Sequence, residues 1–162
     1  MINKLIWMNF FSTFTFLLFT SFMFSQTSYD LETYLDSSYI ETDPEHAIYR
    51  RVVKNYGTIQ NEYMFTDYYK SGPLKMVGKS KSRDFLIKKG SFAYYYENGK
   101  KKTIINYEES IPQGNYYSWY ETGEKKEVGE YIIPKKGEKE SKQLRIDLFW
   151  DENGNQKVID GN

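Results

Sequence analysis

The only histidine of the chain, His46, follows an acidic pair of neighbours, Asp43 and Glu45. A histidine beside carboxylates is an arrangement that can serve as a general base or as a metal ligand. A catalytic site also needs a nucleophile or further ligands held within reach of the imidazole. The chain has no second histidine and no cysteine. We therefore predict that His46 is an exposed loop residue and that it has no catalytic role.

A second candidate for chemistry is the stretch DENGN at residues 151–155, which is similar to the start of a calcium loop. An EF-hand needs glycine at its sixth position and glutamate at its twelfth, whereas Gly154 is the fourth residue here. A β-hairpin turn explains these residues better. The chain also has no Gly-x-Ser-x-Gly elbow and no phosphate-binding loop. We predict no catalytic residue, no cofactor and no metal.

Lysine clusters occupy residues 100–102 and 125–126. One hypothesis is a basic patch that binds an anion. The other is a row of solvated lysines whose methylene groups lie over tyrosine rings and discourage edge pairing. Acidic residues are interleaved, and the chain balances 22 basic against 22 acidic residues. We therefore expect the solvated row, and we expect no nucleic acid as a partner.

Aromatic side chains are the last candidate site, because they make up 19% of the sequence. If the strand registers given below hold, Tyr95, Tyr117 and Trp119 share one face of a β-sheet. A strip of this kind binds sugar, peptide or protein through ring contacts. The interpretation that we favour is that this face is the core side, covered by the N-terminal segment, because an open stack of hairpins must bury apolar surface to stay folded.

A repeated phrase positions all of these residues. Four segments align on a glycine: DYYKSGPLKMVG on Gly72, YYYENGKKKTII on Gly99, SWYETGEKKEVG on Gly123 and LFWDENGNQKVI on Gly154. The two central copies also share a leading glycine and a trailing tyrosine, each displaced by 24 residues: Gly90 and Gly114, Tyr107 and Tyr131. Agreement at three anchors indicates an internal repeat.

One unit of this repeat is a β-hairpin whose turn holds the glycine. The predicted turn pairs are Ser71-Gly72, Asn98-Gly99, Thr122-Gly123 and Asn153-Gly154. Asn-Gly between β-rich runs is the strongest signal for a two-residue type I′ turn. Around Asn98-Gly99 such a turn predicts that Tyr95 faces Lys102, and that Phe92 faces Ile105. The Ser-Gly and Thr-Gly pairs suit a type II turn or a bulged loop as an alternative.

The units GSFAYYYENGKKK and GNYYSWYETGEKK resemble the MORN-variant repeat, and DYYKSGPLK and FWDENGNQK match it more weakly. The resemblance covers roughly residues 63–160. It implies consecutive antiparallel hairpins, so we predict an all-β protein in which a meander of repeat hairpins forms an extended twisted sheet. Members of this family are antitoxin-like proteins and secreted or envelope proteins of Bacteroidetes-like bacteria. The stretch DPEHAIYRRVVKNYG is similar to the leader of the envelope type.

The N-terminal residues divide into two parts. Residues 1–25 have the layout of a secretory signal peptide, with Lys4 before a long apolar run and no acidic residue until Asp30. We predict cleavage after Ser25; a retained membrane anchor is the alternative. Residues 26–62 are predicted to pack on or extend the sheet, with a strand favoured over a helix at residues 47–56. Residues 63–162 hold the repeats, with an exposed loop at 132–143.

These features together predict an exported, non-enzymatic repeat protein of the periplasm, outer surface or secreted fraction. It cannot be a lipoprotein anchored through an N-terminal cysteine, because it has no cysteine. We expect it to bind a protein or a glycan of the cell envelope, without stable membrane insertion after cleavage. One alternative, implied by the resemblance, is an antitoxin-like partner of an exported toxin. The other is an enzyme, which the missing nucleophile and base argue against.

Overall fold

Ten antiparallel strands form one open sheet in this computed structural model, which describes residues 29–133 and 143–158. The order of the strands in the sheet is their order in the sequence. The strands are β1 Leu31–Leu35, β2 Tyr49–Val53, β3 Tyr63–Tyr69, β4 Leu74–Ser80, β5 Lys88–Tyr95, β6 Lys101–Glu108, β7 Ile111–Trp119, β8 Lys125–Ile132, β9 Gln143–Trp150 and β10 Gln156–Val158. The predicted all-β meander of consecutive hairpins is confirmed. Nowhere in the described ranges is there a helix of the length and apolarity that spanning a bilayer requires.

The first two strands lie at the edge of the sheet. β1 pairs with β2 from Leu31↔Val53 to Leu35↔Tyr49, and β2 continues onto β3. The segment 47–56 thus contains a strand and no helix. The predicted signal peptide, residues 1–25, lies outside the described residues. The predicted loop at 132–143 begins and ends on paired residues of β8 and β9, and residues 134–142 lie outside the described part.

The hydrophobic core lies on one face of the sheet, towards its N-terminal half. It contains the buried side chains of Val53, Tyr63, Phe65, Met76 and Phe92, from β2 to β5. The loop between β4 and β5 covers this face, because the Phe85 ring lies 4.7 Å from that of Phe65 and 5.8 Å from that of Phe92. We call this side of the sheet the core face.

A buried ion pair holds β2 and β3 together on the core face. The guanidinium of Arg51 donates two hydrogen bonds, of 2.7 and 2.8 Å, to the carboxylate of Asp67. Asp67 is fully buried. The same guanidinium lies 4.3 Å from the centroid of the Phe85 ring. Because the bidentate geometry gives both carboxylate oxygens a hydrogen bond, the ion pair is tolerated in the buried core.

The hairpin turns have one geometry, which differs from the predicted type I′ turn. In the second unit the amide of Gly99 donates to the carbonyl of Tyr96, and the amide of Tyr96 donates to the carbonyl of Lys100. The loop therefore has three residues, and only its glycine has a positive φ, of 82° at Gly99. The same two bonds recur at Gly72, Gly123 and Gly154. Glycine at the third loop position allows this turn, so Asn98 keeps a negative φ.

A β-bulge follows the turn in the first three units. Between β5 and β6, Tyr94 faces Thr103, but Tyr95 faces Lys101 where Lys102 was predicted. Lys102 is the extra residue of the bulge. Equivalent shifts leave Lys75 and Lys126 as the extra residues of the neighbouring hairpins. The inner pairs, including Phe92↔Ile105, have the predicted register.

Tyrosine hydroxyls connect each repeat to the next one. Three residues before the turn glycine, each of the first three units carries a tyrosine whose hydroxyl donates to a backbone carbonyl of the following unit. The three bonds are Tyr69 to Tyr95, Tyr96 to Trp119 and Tyr120 to Trp150, each 2.8 Å long. In the fourth unit Asp151 stands at this position, and its carboxylate accepts from the amides of Asn153 and Asn155 in its own turn.

Candidate functional site

The second face of the sheet, opposite the core face, carries a row of mostly aliphatic residues. Successive cross-strand partners build this row from β1 to β9: Glu32, Val52, Thr66, Val77, Ala93, Ile104, Tyr117, Val128 and Leu148. Every one of these side chains is exposed or half-buried. The prediction that this face is the core side, covered by the N-terminal segment, is wrong for the described residues, because β1 and β2 lie in the sheet and the buried cluster lies on the other face. We call the side that carries the row the open face.

A line of alternating rings and cations runs beside this row on the open face. Tyr95 faces Lys101, and the Nζ of Lys101 lies 5.8 Å from the centroid of the Trp119 ring. Trp119 faces Lys125, whose Nζ lies 5.9 Å from the centroid of the Trp150 ring. We call these five residues the open-face ladder. It crosses the five strands from β5 to β9.

The structure thus brings together the three residues predicted as a binding face. Tyr95 and Trp119 belong to the ladder, and the Tyr117 ring lies 6.4 Å from that of Trp119. Sequence reasoning missed Trp150. The repeat alignment contained the signal, because Trp150 precedes Gly154 by the same four positions that separate Trp119 from Gly123.

The geometry of the ladder fits an extended ligand. Its rings are half-buried, while Lys101 and Lys125 are exposed. Tyr95 and Trp119 are two strands apart, which is about 9.6 Å at the usual strand spacing. The rings offer flat apolar surfaces, and each lysine offers three hydrogen-bond donors. None of the five residues is acidic, so no carboxylate of the ladder pairs with the ammonium groups of its two lysines.

The three consecutive lysines of the second unit have three different surroundings. Lys100 donates through Nζ to the carbonyl of Thr122 in the next turn. Lys101 belongs to the ladder, and Lys102 lies on the core face with Nζ 5.3 Å from the centroid of the Tyr96 ring. The lysines therefore form neither one basic patch nor one solvated row, because the bulge at Lys102 moves its side chain to the other face.

The residues that the sequence offered for catalysis or calcium binding lie in turns or next to them. His46 is exposed, and its Nδ1 lies 2.8 Å from a carboxylate oxygen of Asp43. Hydrogen bonds from the side chain and backbone of His46 lower the pKa of Asp43. Hydrogen bonds from Asn155 likewise lower the pKa of Asp151. Within residues 29–133 and 143–158, no three His, Asp or Glu side chains converge in a way that could hold a metal ion.

The fold and the open face define a single-sheet, all-β repeat protein. No protein-family model matches the chain, and neither the curated proteins nor the solved structures compared with it include a match. The resemblance of the units to the MORN-variant repeat is therefore a prediction from the sequence.

Proposed function

We propose that the protein is a non-enzymatic binding module of the cell envelope that holds an extended glycan along the open-face ladder. The observation that carries this proposal is the regular alternation of Tyr95, Lys101, Trp119, Lys125 and Trp150 on a face that no other described part of the chain covers. Rings two strands apart are spaced comparably to the disaccharide units of an extended polysaccharide. A glycan chain crossing the strands would stack on successive rings and accept hydrogen bonds from the lysines between them.

A protein partner is the second candidate, and the aliphatic row beside the ladder favours it. Interfaces between proteins rely on a desolvated apolar centre, with aromatic and cationic residues as anchors. Val77, Ile104 and Val128 would supply that centre, and the ladder would form its border. The two candidates differ in which residues carry the affinity: ring residues for a glycan, and aliphatic residues for a protein.

The envelope location in this proposal rests on the predicted signal peptide and on the resemblance to exported repeat proteins. Mass spectrometry of the protein recovered from the envelope or medium tests it. We expect a mature chain that begins at Gln26, because cleavage after Ser25 removes the apolar run. A chain that retains Met1 would contradict cleavage and support the membrane anchor.

Binding to purified envelope polysaccharides, measured by affinity electrophoresis and calorimetry, tests the glycan proposal. We expect the double variant Tyr95→Ala/Trp119→Ala to weaken binding at least tenfold, which corresponds to about 1.4 kcal/mol. The matched control is Tyr34→Ala, a tyrosine of β1 at the far edge of the sheet, which should bind as the unchanged protein does. Equal affinity of the double variant and the control would remove the ladder as the site. An envelope protein that is retained by the unchanged chain and by the double variant, but lost with Ile104→Ser, would favour the protein partner.

A further inference from the structure

A cavity lies on the core face where the first repeat meets the second. Its volume is about 270 Å³, and the residues that line it come from β3 to β6: Tyr69, Lys75, Tyr94, Tyr95, Lys102, Thr103 and Ile105. Ligand pockets for drug-sized molecules usually measure ~300–1,000 Å³, so this cavity suits a smaller ligand. Its lysines lie on the core face, but Tyr95 of the lining also belongs to the open-face ladder, so the inference is tested at Lys75, Lys102 and Thr103, which lie outside that ladder.

Two lysines share this cavity, and its lining includes no carboxylate. Lys75 lies over two rings, with Nζ 4.4 Å from the centroid of Tyr39 and 4.0 Å from that of Tyr49. Burial, and secondarily the charge of Lys102, lower the pKa of Lys75. Asp67, the one buried carboxylate in the described ranges, is already occupied by Arg51, and Glu97 and Glu121 act on Tyr69 from outside the lining. The cavity is therefore cationic, and it lacks a built-in counter-charge.

The bulges create this arrangement. Lys75 and Lys102 are the extra residues of the first and second hairpins, and each stands three positions after its turn glycine. The extra residue turns its lysine towards the core face, beside the tyrosine that connects the repeats. Because the two hairpins are neighbours in the sheet, the two bulges bring both lysines to one cavity.

The next repeat provides an internal comparison. Glu127 of the third unit stands where Thr103 stands in the second, four positions after the turn glycine. Its carboxylate accepts hydrogen bonds from the hydroxyls of Ser118 and Tyr116, at 2.9 and 3.2 Å. The third unit thus has its own anion one residue after its bulge lysine, Lys126. The second unit has a neutral hydroxyl at that position.

We propose that this cavity binds a small organic carboxylate of about the size of one sugar ring. Its carboxylate lies between the ammonium groups of Lys75 and Lys102, and its apolar side lies against Tyr94 and Ile105. The hydroxyl of Thr103 donates a further hydrogen bond to the ligand. An ammonium binds an anion as a point charge, so the rings and Ile105, rather than the lysines, select the organic part.

A titration of the purified protein with glucuronate, followed by two-dimensional amide NMR, tests the proposal. We expect saturable shifts of resonances in β4 and β6, and no such shifts with glucose, which lacks the carboxylate. Benzoate is a second carboxylate probe, and inorganic phosphate tests charge alone. If neither carboxylate shifts these resonances at tens of millimolar, the inference is overturned. Phosphate binding as tight as the tighter carboxylate would indicate an adventitious ion only, and would overturn it as well.

Two substitutions locate the site. Thr103→Glu supplies the internal carboxylate that the third unit already has, and it should weaken binding of the carboxylate at least tenfold. Lys102→Met should weaken it similarly, while the matched variant Lys126→Met in the next repeat should not. A Thr103→Glu protein that keeps a dispersed amide spectrum and binds with unchanged affinity would contradict the assignment.

The titration of Lys75 provides a readout that does not depend on the choice of probe. With the Cε resonances of the lysines followed by NMR, Lys102→Met should raise the pKa of Lys75, because the neighbouring positive charge is gone. Saturation with the bound carboxylate should raise it too. An unchanged pKa of Lys75 in both cases would show that the two ammonium groups do not share a site.

Discussion

At the scale of single residues, the ion pair between Arg51 and Asp67 is the contact whose loss should cost most. Asp67 is fully buried, and it neutralises a guanidinium that is enclosed by the Phe65 and Phe85 rings. We expect Asp67→Asn to lower the free energy of unfolding by ~3–5 kcal/mol, because the substitution leaves a buried charge uncompensated. Urea unfolding measures this change. The double variant Asp67→Asn/Arg51→Met should recover part of the loss, and a double variant no more stable than the single one would contradict this explanation.

Tyrosine ionisation should limit stability at high pH. Burial raises the pKa of Tyr94 above its ordinary value, and burial also raises that of Tyr116. A raised folded-state pKa means that the stabilisation is complete below the unfolded pKa of about 10, and is lost as the pH rises above it. The lowered pKa of Lys75 makes stability rise with pH instead, but only up to the pKa of an unfolded lysine, about 10.4. Melting temperatures should therefore fall above pH ~10.5.

The variant Tyr94→Phe isolates one of these groups. Its melting temperature should fall less steeply with pH than that of the unchanged protein over the same alkaline range, because the phenol that resists ionisation is gone. Tyr29→Phe is the control, since that tyrosine is 56% exposed. Parallel curves for the unchanged protein and Tyr94→Phe would show that Tyr94 does not carry the effect.

The sequence predicted which residues share a face of the sheet, but it did not predict which residues line the cavity. Tyr117 and Trp119 lie on one face because strand alternation depends only on the inner register, which the turn glycines and the aromatic–aliphatic pairs determine. Lys102 was assigned to the wrong partner because a bulge is a three-dimensional adjustment to the turn. No residue type in KKK marks which lysine becomes the extra one.

At the scale of elements, the connections between hairpins are made by side chains as well as by strand pairing. Tyr96→Phe removes the 2.8 Å bond to the Trp119 carbonyl and should lower the free energy of unfolding by ~0.5–1.5 kcal/mol. Tyr69→Phe and Tyr120→Phe remove the equivalent bonds and should cost similar amounts. Because the three sites lie in different repeats, the triple variant should lose about the sum.

Chemical denaturation of the single and triple variants tests this expectation, with Tyr34→Phe as a control that should be neutral. A triple variant as stable as the unchanged protein would show that water replaces these hydrogen bonds without loss. The turn glycine and the repeat period could be predicted from the sequence. The hydroxyl bonds could not be predicted, because they depend on how far each hairpin is displaced relative to the next one. No local signal in a single sequence encodes this displacement.

At the scale of the whole molecule, each strand contacts little beyond its two neighbours, so stability should vary along the sheet. The fully buried hydrophobic side chains of β2 to β5 have no equivalents in the described strands after β5. Hydrogen exchange should accordingly be slowest in β3 and β4 and should become faster towards β9. Uniform protection across the sheet would show that it unfolds as one cooperative unit.

The order of the sheet and the positions of β3 to β10 follow from the repeat, but β1 does not. Residues 31–35 read LETYL, and nothing in that segment resembles the repeat. The strand forms because β2 leaves an unpaired edge next to the core, and Leu31 and Leu35 meet Val53 and Tyr49 across it. Tertiary context of this kind outweighs the modest β propensity of the segment.

The hydroxyl bonds between repeats also bear on how such a chain can change its length. Each of the two central repeats, whose turn glycines lie 24 residues apart, carries both a donor (Tyr96 or Tyr120) and an acceptor carbonyl (Tyr95 or Trp119). An in-frame duplication of one period would bring a matching donor and acceptor with it, and the added hairpin would join its neighbours as they join one another. Genes of this design can therefore lengthen or shorten by whole periods without a compensating mutation elsewhere.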